Sequence, residues 1–393
     1  MPDHLPPLRL TGAKTLIDGQ LADSCVCIAG GVIASSGGAE VDLSGYLILP
    51  GIIDLHGDGF EHHIRPRPTA AFPVSAGIAS YDREAAAQGV TTLWLAQGWS
   101  WEGGHRGPEM AEAVLQAVAD HRPLALTDQR VQLRVETHFV EAVPRLLQVA
   151  EHFGLDYAIF NDHLDEGEQM RRVQPEAFSL WARKLGLDGH ELEARLAAAK
   201  AGARAVPRSL CTLAQGFDRL GIRFGSHDDP NAETREFYSM IGARIAEFPL
   251  NRRAAAAARA MGDPILMGAP NVVRGGSQSG NIAAVDLIRE GLCDALVSDY
   301  HLPALPLAAW RLADLGLCNL ARAWEMISAA PARIMGLSDR GRIAPGQRAD
   351  LVIMNPETRT ICATFCGGRL AFASGEVALR LMGKHAEMRL AAE

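Results

Sequence analysis

Two metal-type ligands, His56 and Asp58, stand one glycine apart at the end of the run Ile48-Leu49-Pro50-Gly51-Ile52-Ile53-Asp54-Leu55. On an extended backbone, residues two apart point the same way. An imidazole and a carboxylate placed so can share an ion. Similar groups recur down the chain: Glu136 with His138, Asp162 with His163, Ser226-His227-Asp228-Asp229, Glu247, Asn271 with Arg274, and Ser298-Asp299. Each has a bland explanation as a capping aspartate or a satisfied core histidine. Their recurrence does not. Imidazole and carboxylate hold Zn²⁺ or a similar ion while leaving a position for water. A bound water then ionises near neutral pH, and Asp299 is placed to take its proton as general base. The expected ligands are His56, Asp58, Glu136, His163 and His227, with Glu136 able to bridge two ions. His138, two residues beyond Glu136, is expected to ligate or to touch substrate.

Each of these groups follows an apolar run, and those runs are the elements that must position them. After residues 52–55 come 90–96, 131–139, 157–160, 222–225, 244–248, 265–267 and 295–297. Helix-like stretches such as 109–119 and 282–290 separate most of them. Eight such β/α units predict an α/β chain folded as a closed, parallel (β/α)8 barrel over residues 51–340. Chemistry in such barrels gathers at the carboxyl ends of the strands. Residues 164–221 are too long for one crossover and hold long helix formers, so a helical insertion over the barrel mouth, in the position of a lid, is expected there. Short apolar runs between glycine turns fill residues 1–50 and return over 341–393, which predicts one small β-sandwich built from both ends.

Composition narrows the classes. The 393 residues carry a net charge of −8, which argues against nucleic acid as a partner. No stretch approaches the length of a membrane span, and Met1 to Arg9 carries prolines with no apolar core of a leader. The seven cysteines are scattered and read as reduced thiols, the expectation for a cytoplasmic protein. Oligomeric state is open, a homo-oligomer included. Lysine occurs only at 14, 184, 200 and 384, so almost all cations are arginine, the better fork for phosphate or carboxylate.

The chain resembles the amidohydrolase superfamily along nearly its whole length. Val41-Asp42-Leu43-Ser44-Gly45 up to His56, and Gly341-Arg342-Ile343-Ala344-Pro345-Gly346 up to Val352, look like that superfamily's junctions between sandwich and barrel. The usual His-x-His is here His56-Gly57-Asp58. Many members bridge two metals with a carbamylated lysine. No barrel strand offers one, and Glu136 is the natural substitute. A narrower resemblance, to the phosphonate-catabolism branch, rests on Arg65-Pro66-Arg67-Pro68, Ser226-His227-Asp228-Asp229, Ala246-Glu247-Phe248-Pro249 and Met267-Gly268-Ala269-Pro270-Asn271-Val272-Val273-Arg274-Gly275-Gly276-Ser277. Gly59 and His62 depart from that branch, where asparagine and lysine are expected.

This resemblance implies a divalent metal cofactor, zinc by expectation, as one or two ions. It implies a small phosphorylated substrate, α-D-ribose 1-methylphosphonate 5-triphosphate, cleaved to release diphosphate. Arg65, Arg67 and Arg274 would grip the phosphates, with Asn271 and His138 also at the substrate. Surface solvation is the bland role for Arg65 and Arg67, and loop anchoring for Arg274. Two other functions compete. A C–N hydrolase, deacetylase or cyclic amidase, would use the same metal site and need fewer cations. A metal-free barrel kept as a scaffold would have lost several ligands, and none of the six acids and histidines above is missing.

Overall fold

The computed structural model describes residues 6–67 and 70–392; Pro68 of the Arg-Pro-Arg-Pro motif and the first five residues lie outside them. Its centre is an eight-stranded parallel sheet. The strands are β1 (Ile52–Gly57), β2 (Val90–Trp99), β3 (Asp128–Glu136), β4 (Tyr157–Asn161), β5 (Arg223–His227), β6 (Ile245–Glu247), β7 (Ile265–Gly268) and β8 (Ala295–Val297). Each pairs with its neighbour in sequence. Both faces are apolar because both are covered. Leu93, Leu133, Val135 and Phe160 face the helices, while Leu55, Trp94, Tyr157, Ile159 and Leu266 fill the barrel interior.

The ring closes differently from the way it runs. β8 meets β1 through a single bridge, Gly57 with Asp299. Asp299 N donates to His56 O and Asp58 N donates to Asp299 O, both at 2.9 Å. Below that bridge Asp54 accepts from the Ser298 amide at 2.9 Å and from its hydroxyl at 2.6 Å. Gly57 is glycine for a steric reason: an added Cβ would lie 2.6 Å from Ser298 Oγ and 2.9 Å from Asp54 Oδ2. The seam is thus stitched by side chains in place of a full ladder.

Both chain ends meet in the small sheets. A six-stranded sheet runs Arg369–Ala373, Thr360–Cys366, Leu351–Asn355, Leu47–Pro50, Lys14–Ile17 and Gln20–Asp23. A four-stranded sheet holds Val32–Ala34, Val26–Ala29, Leu8–Thr11 and Ala39–Asp42. Leu10, Val26 and Ile28 of the smaller sheet share one hydrophobic cluster with Ile48, Leu351 and Phe365 of the larger. The last residues of the small domain form a helix, Gly375–Ala392, beyond the last apolar run of the sequence reading.

The region 164–221 holds four helices: α1 (Leu164–Val173), α2 (Pro175–Leu185), α3 (Gly189–Ala201) and α4 (Val206–Leu220). The first three enclose their own core of Leu164, Phe178, Leu192 and Leu196 around Trp101. α4 is different. Its Leu213 and Phe217 join the main core, and Phe217 stacks on Phe160 of β4. It is the ordinary crossover between β4 and β5, so the inserted part is shorter than its sequence suggested. No helix among the described residues is long and apolar enough to cross a membrane.

Candidate active site

The expected ligands end at one face of the barrel, but they do not form one group. His56 on β1, His227 on β5 and Glu247 on β6 bring ligand atoms within 4.8 Å of one another. The two imidazoles lie 5.3 Å apart between ring centres, and Phe248 meets both edge-on. His56 Nδ1 stands 2.8 Å from Glu247 Oε2. Those two atoms and His227 Nδ1 are buried and lack a properly directed hydrogen bond. Leaving such groups unmade costs about 1–3 kcal/mol each. The other Glu247 oxygen is well used, accepting from Gln132 Nε2 at 2.6 Å and Tyr157 OH at 2.5 Å. Asp228 Oδ2 stands 3.1 Å from His227 Nδ1; the aimed carboxylate and the two buried imidazoles fit a divalent cation. Burial pushes the His227 ring down from the ordinary imidazole range. Burial also works against a charged His56, but Glu247 outweighs it and holds that ring above its usual value.

Glu136 and His163 form a separate pair at the ends of β3 and β4. Glu136 Oε1 contacts His163 Nδ1, and Oε2 accepts from the His163 amide at 3.3 Å. Asp58 is in neither set; its nearest ion partner is Arg134 Nη1 at 3.6 Å. β1 ends at Gly57, and its register against β2 shifts between Asp54 and Gly57. Simple alternation therefore does not carry from His56 to Asp58. The same reasoning corrects His138. β3 ends at Glu136, and Phe139 N turns back onto Glu136 O at 3.1 Å. His138 leaves the strand and stands 3.3 Å from Asp162.

Asp299 sits at the seam in a left-handed conformation, φ 55°, as do Asp228 and Phe248 after β5 and β6 at 58° and 50°. Non-glycine residues seldom adopt that region, and it concentrates at functional sites. Burial, with Asp58 and Asp228 nearby, pushes the Asp299 carboxyl up to about 6.

Above this floor lies a cleft of about 670 Å³ whose lining includes Asp58, Arg65, Arg67, Arg106, Lys184 and Asp299. A cavity of about 280 Å³ adjoins it and is lined by Arg134, His227 and Arg274. The two share Asp58, Arg106, Gln278, Asp299 and Tyr300. Arg65 Nη2 donates to Lys184 O at 3.2 Å. Arg274 Nη1 donates to Tyr300 OH at 3.1 Å and Gln278 Oε1 at 3.3 Å. Asn271 lines the smaller cavity with its amide engaged: Oδ1 takes Ala284 N at 2.9 Å and Nδ2 reaches Ile282 O at 3.4 Å. That anchors the loop after β7.

Sequence reasoning named Glu247 among the strand-end groups but left it out of the ligand set. It missed Arg134 and Arg106. For Arg134 a signal exists: Gln132, Arg134 and Glu136 alternate with Leu133 and Val135, which marks a polar inner face on β3. Arg106 ends the short 3-10 turn Gly104–Arg106, and no pattern points to it.

Residues 310–364 match the model of the Amidohydrolase family. Two solved structures share the fold across most of the chain. β-Aspartyl dipeptidase of Fervidobacterium islandicum AW-1, in complex with a β-Asp-Leu dipeptide, is 15% identical with TM-score 0.60, covering 94% of this chain and 97% of that one. N-acyl-D-glutamate deacylase of Bordetella bronchiseptica, complexed with zinc and a phosphonate inhibitor, gives the same figures: 15%, 0.60, 94% and 97%. The chain belongs to the amidohydrolase superfamily and is a hydrolase by class. Within it the likeness is to the phosphonate-catabolism branch. The chain is 33% identical over 324 residues, 80% of its length and 84% of the relative's, to α-D-ribose 1-methylphosphonate 5-triphosphate diphosphatase of Escherichia coli (strain K12).

Proposed function

We propose that this enzyme is a metal-dependent hydrolase of a phosphoanhydride bond in a sugar triphosphate of the α-D-ribose 1-methylphosphonate 5-triphosphate type, releasing diphosphate. One observation carries the reading: an acidic protein gathers Arg65, Arg67 and Lys184 on the cleft, Arg134 and Arg274 on the adjoining cavity, and Arg106 on both. A polyanion accounts for that gathering; a neutral amide does not.

His56, His227 and Glu247 would hold one ion, and Glu136 with His163 form a separate group for a second. Zinc suits this mixture of imidazole and carboxylate. When bound, a divalent ion supplies Lewis acidity, acidifying water and drawing charge from phosphoryl oxygens. Asp299, at the junction of cleft and cavity, takes the proton of the attacking water. Arg274, steadied by Tyr300 and Gln278, and Arg106 neutralise phosphoryl oxygens as charge builds on the departing diphosphate. Arg65 and Arg67 orient the far end of the phosphate chain. Release of diphosphate requires attack on the phosphorus nearest the sugar.

The test is direct. Purified protein is supplied with Zn²⁺ and offered ribose 5-triphosphates, N-acyl amino acids and dihydropyrimidines, and diphosphate, orthophosphate and amine release are measured. Diphosphate release from the triphosphates is expected. Efficient cleavage of the C–N substrates with triphosphates left intact would replace this reading with the C–N hydrolase.

A further inference from the structure

Glu102 lies three residues beyond β2, where neither the strand-end pattern nor the family resemblance drew notice. It is fully buried, 0% exposed. One of its oxygens, one of Glu136 and a ring nitrogen of His163 all lie within 4.8 Å of one another. Two buried carboxylates so close repel unless positive charge accompanies them. What Glu102 has is thin. Arg106 Nη1 stands 3.2 and 3.4 Å from its two oxygens, and Trp181 Nε1 stands 3.3 Å from one. Charge-assisted N–H···O bonds run about 2.7–2.9 Å, so both oxygens keep lone pairs to offer.

Asn161 adds an independent sign. It is in register with Glu136 across β3 and β4. By alternation it shares the inward face with Tyr157 and Ile159 of the interior cluster. It is 2% exposed, and its Oδ1 has no hydrogen-bond partner. An imidazole, two carboxylates and a neighbouring orphan amide oxygen make a donor set for a divalent cation.

We propose that Glu102 is a ligand of a second divalent ion, shared with Glu136 and His163, and that the helical insertion positions it there. The insertion holds the Glu102 loop at several points. Trp181 of α2 touches the carboxylate, and its ring meets Trp101 edge-on at 6.3 Å. Arg195 of α3 donates to the Glu102 carbonyl at 2.6 Å. The next residue, Gly103, leaves room for that guanidinium: an added Cβ would lie 1.8 Å from Arg195 Nη1. The insertion thereby acts as a support for the metal centre as well as a roof. This inference rests on the metal-site part of the reading above and not on the triphosphate part.

Chelator-treated protein is titrated with Co²⁺ and followed by visible absorption, with ion content counted by elemental analysis and folding checked by circular dichroism. Wild type is expected to bind two ions per chain and Glu102→Gln one. Trp181→Phe is expected to bind two, the second about 10-fold more weakly, at the low end for loss of an outer-shell partner. Two ions at wild-type affinity in Glu102→Gln, or one ion at saturation in wild type, would overturn the ligand assignment. If Glu102→Gln does not fold, Trp181→Phe carries the test: unchanged second-ion affinity there would overturn the positioning role. No substrate enters the titration, so its result stands apart from any failure to cleave triphosphates.

Discussion

The floor and the wall of the cleft use similar residue types but are built in different ways. The floor is His56, His227 and Glu247, on the ends of three strands, with side chains 1%, 8% and 0% exposed. Glu247 is braced by Gln132 and Tyr157, which reach it from β3 and β4 across the barrel interior. The wall is Arg65, Arg67, Lys184 and Arg274, placed by loops and helix ends; Arg65 reaches the Lys184 carbonyl, and Arg274 reaches the Tyr300 phenol and the Gln278 amide. Parallel ladders fix a floor atom's direction before any ligand arrives, which a metal site requires. On the proposed reading, long arginines on loops can follow a flexible phosphate chain as it binds. Rigidity sits where bonds are made, and adaptability where charge is gathered.

That contrast orders the expected effects. The largest belongs to the floor's rim. Asp299→Asn keeps the shape and removes the proposed base, and turnover should fall at least ~10²-fold with ion content unchanged. Steady-state kinetics beside elemental analysis checks this, and near wild-type turnover would take Asp299 out of the mechanism. The wall comes next. Arg274→Ala should lower kcat/KM for a triphosphate by ~10- to 100-fold, the range for losing a charged hydrogen bond of roughly 1.5–3 kcal/mol. An equal loss on an uncharged substrate would show that Arg274 only anchors its loop.

Asn271→Ala separates wall from scaffold. Its amide is spent on Ala284 and Ile282, so the variant should lose about 1 kcal/mol of stability, the usual worth of such a bond, with KM close to wild type. Denaturant unfolding and KM together decide it; a large rise in KM with stability intact would return Asn271 to the substrate. The smallest effect is expected at His138, off the strand and beside Asp162. His138→Gln should leave ion content and turnover near wild type. Loss of an ion there would mean that the loop after β3 turns inward when the centre is loaded.

Much of this was decided by sequence alone. The eight apolar runs, and the polar residues at the ends of most of them, foretold the barrel and the face at which those residues gather, because a strand covered on both faces must be apolar until it reaches the mouth. His56, His227 and Asp299 were readable on that basis, since each ends or follows such a run. Folding decided what local pattern cannot. Glu247 became the partner of His56 only because β6 and β1 face each other across the barrel. Glu136 and His163 drew away from His56 and His227, and Glu102 came to them on a turn held by the inserted helices. His138 does not share the face of Glu136, because alternation holds only while the chain stays extended, and β3 stops two residues earlier. Periodicity within one strand fixes which way a side chain points. Which distant side chain it meets depends on ring closure, strand order and loop packing, and those exist only in the folded chain.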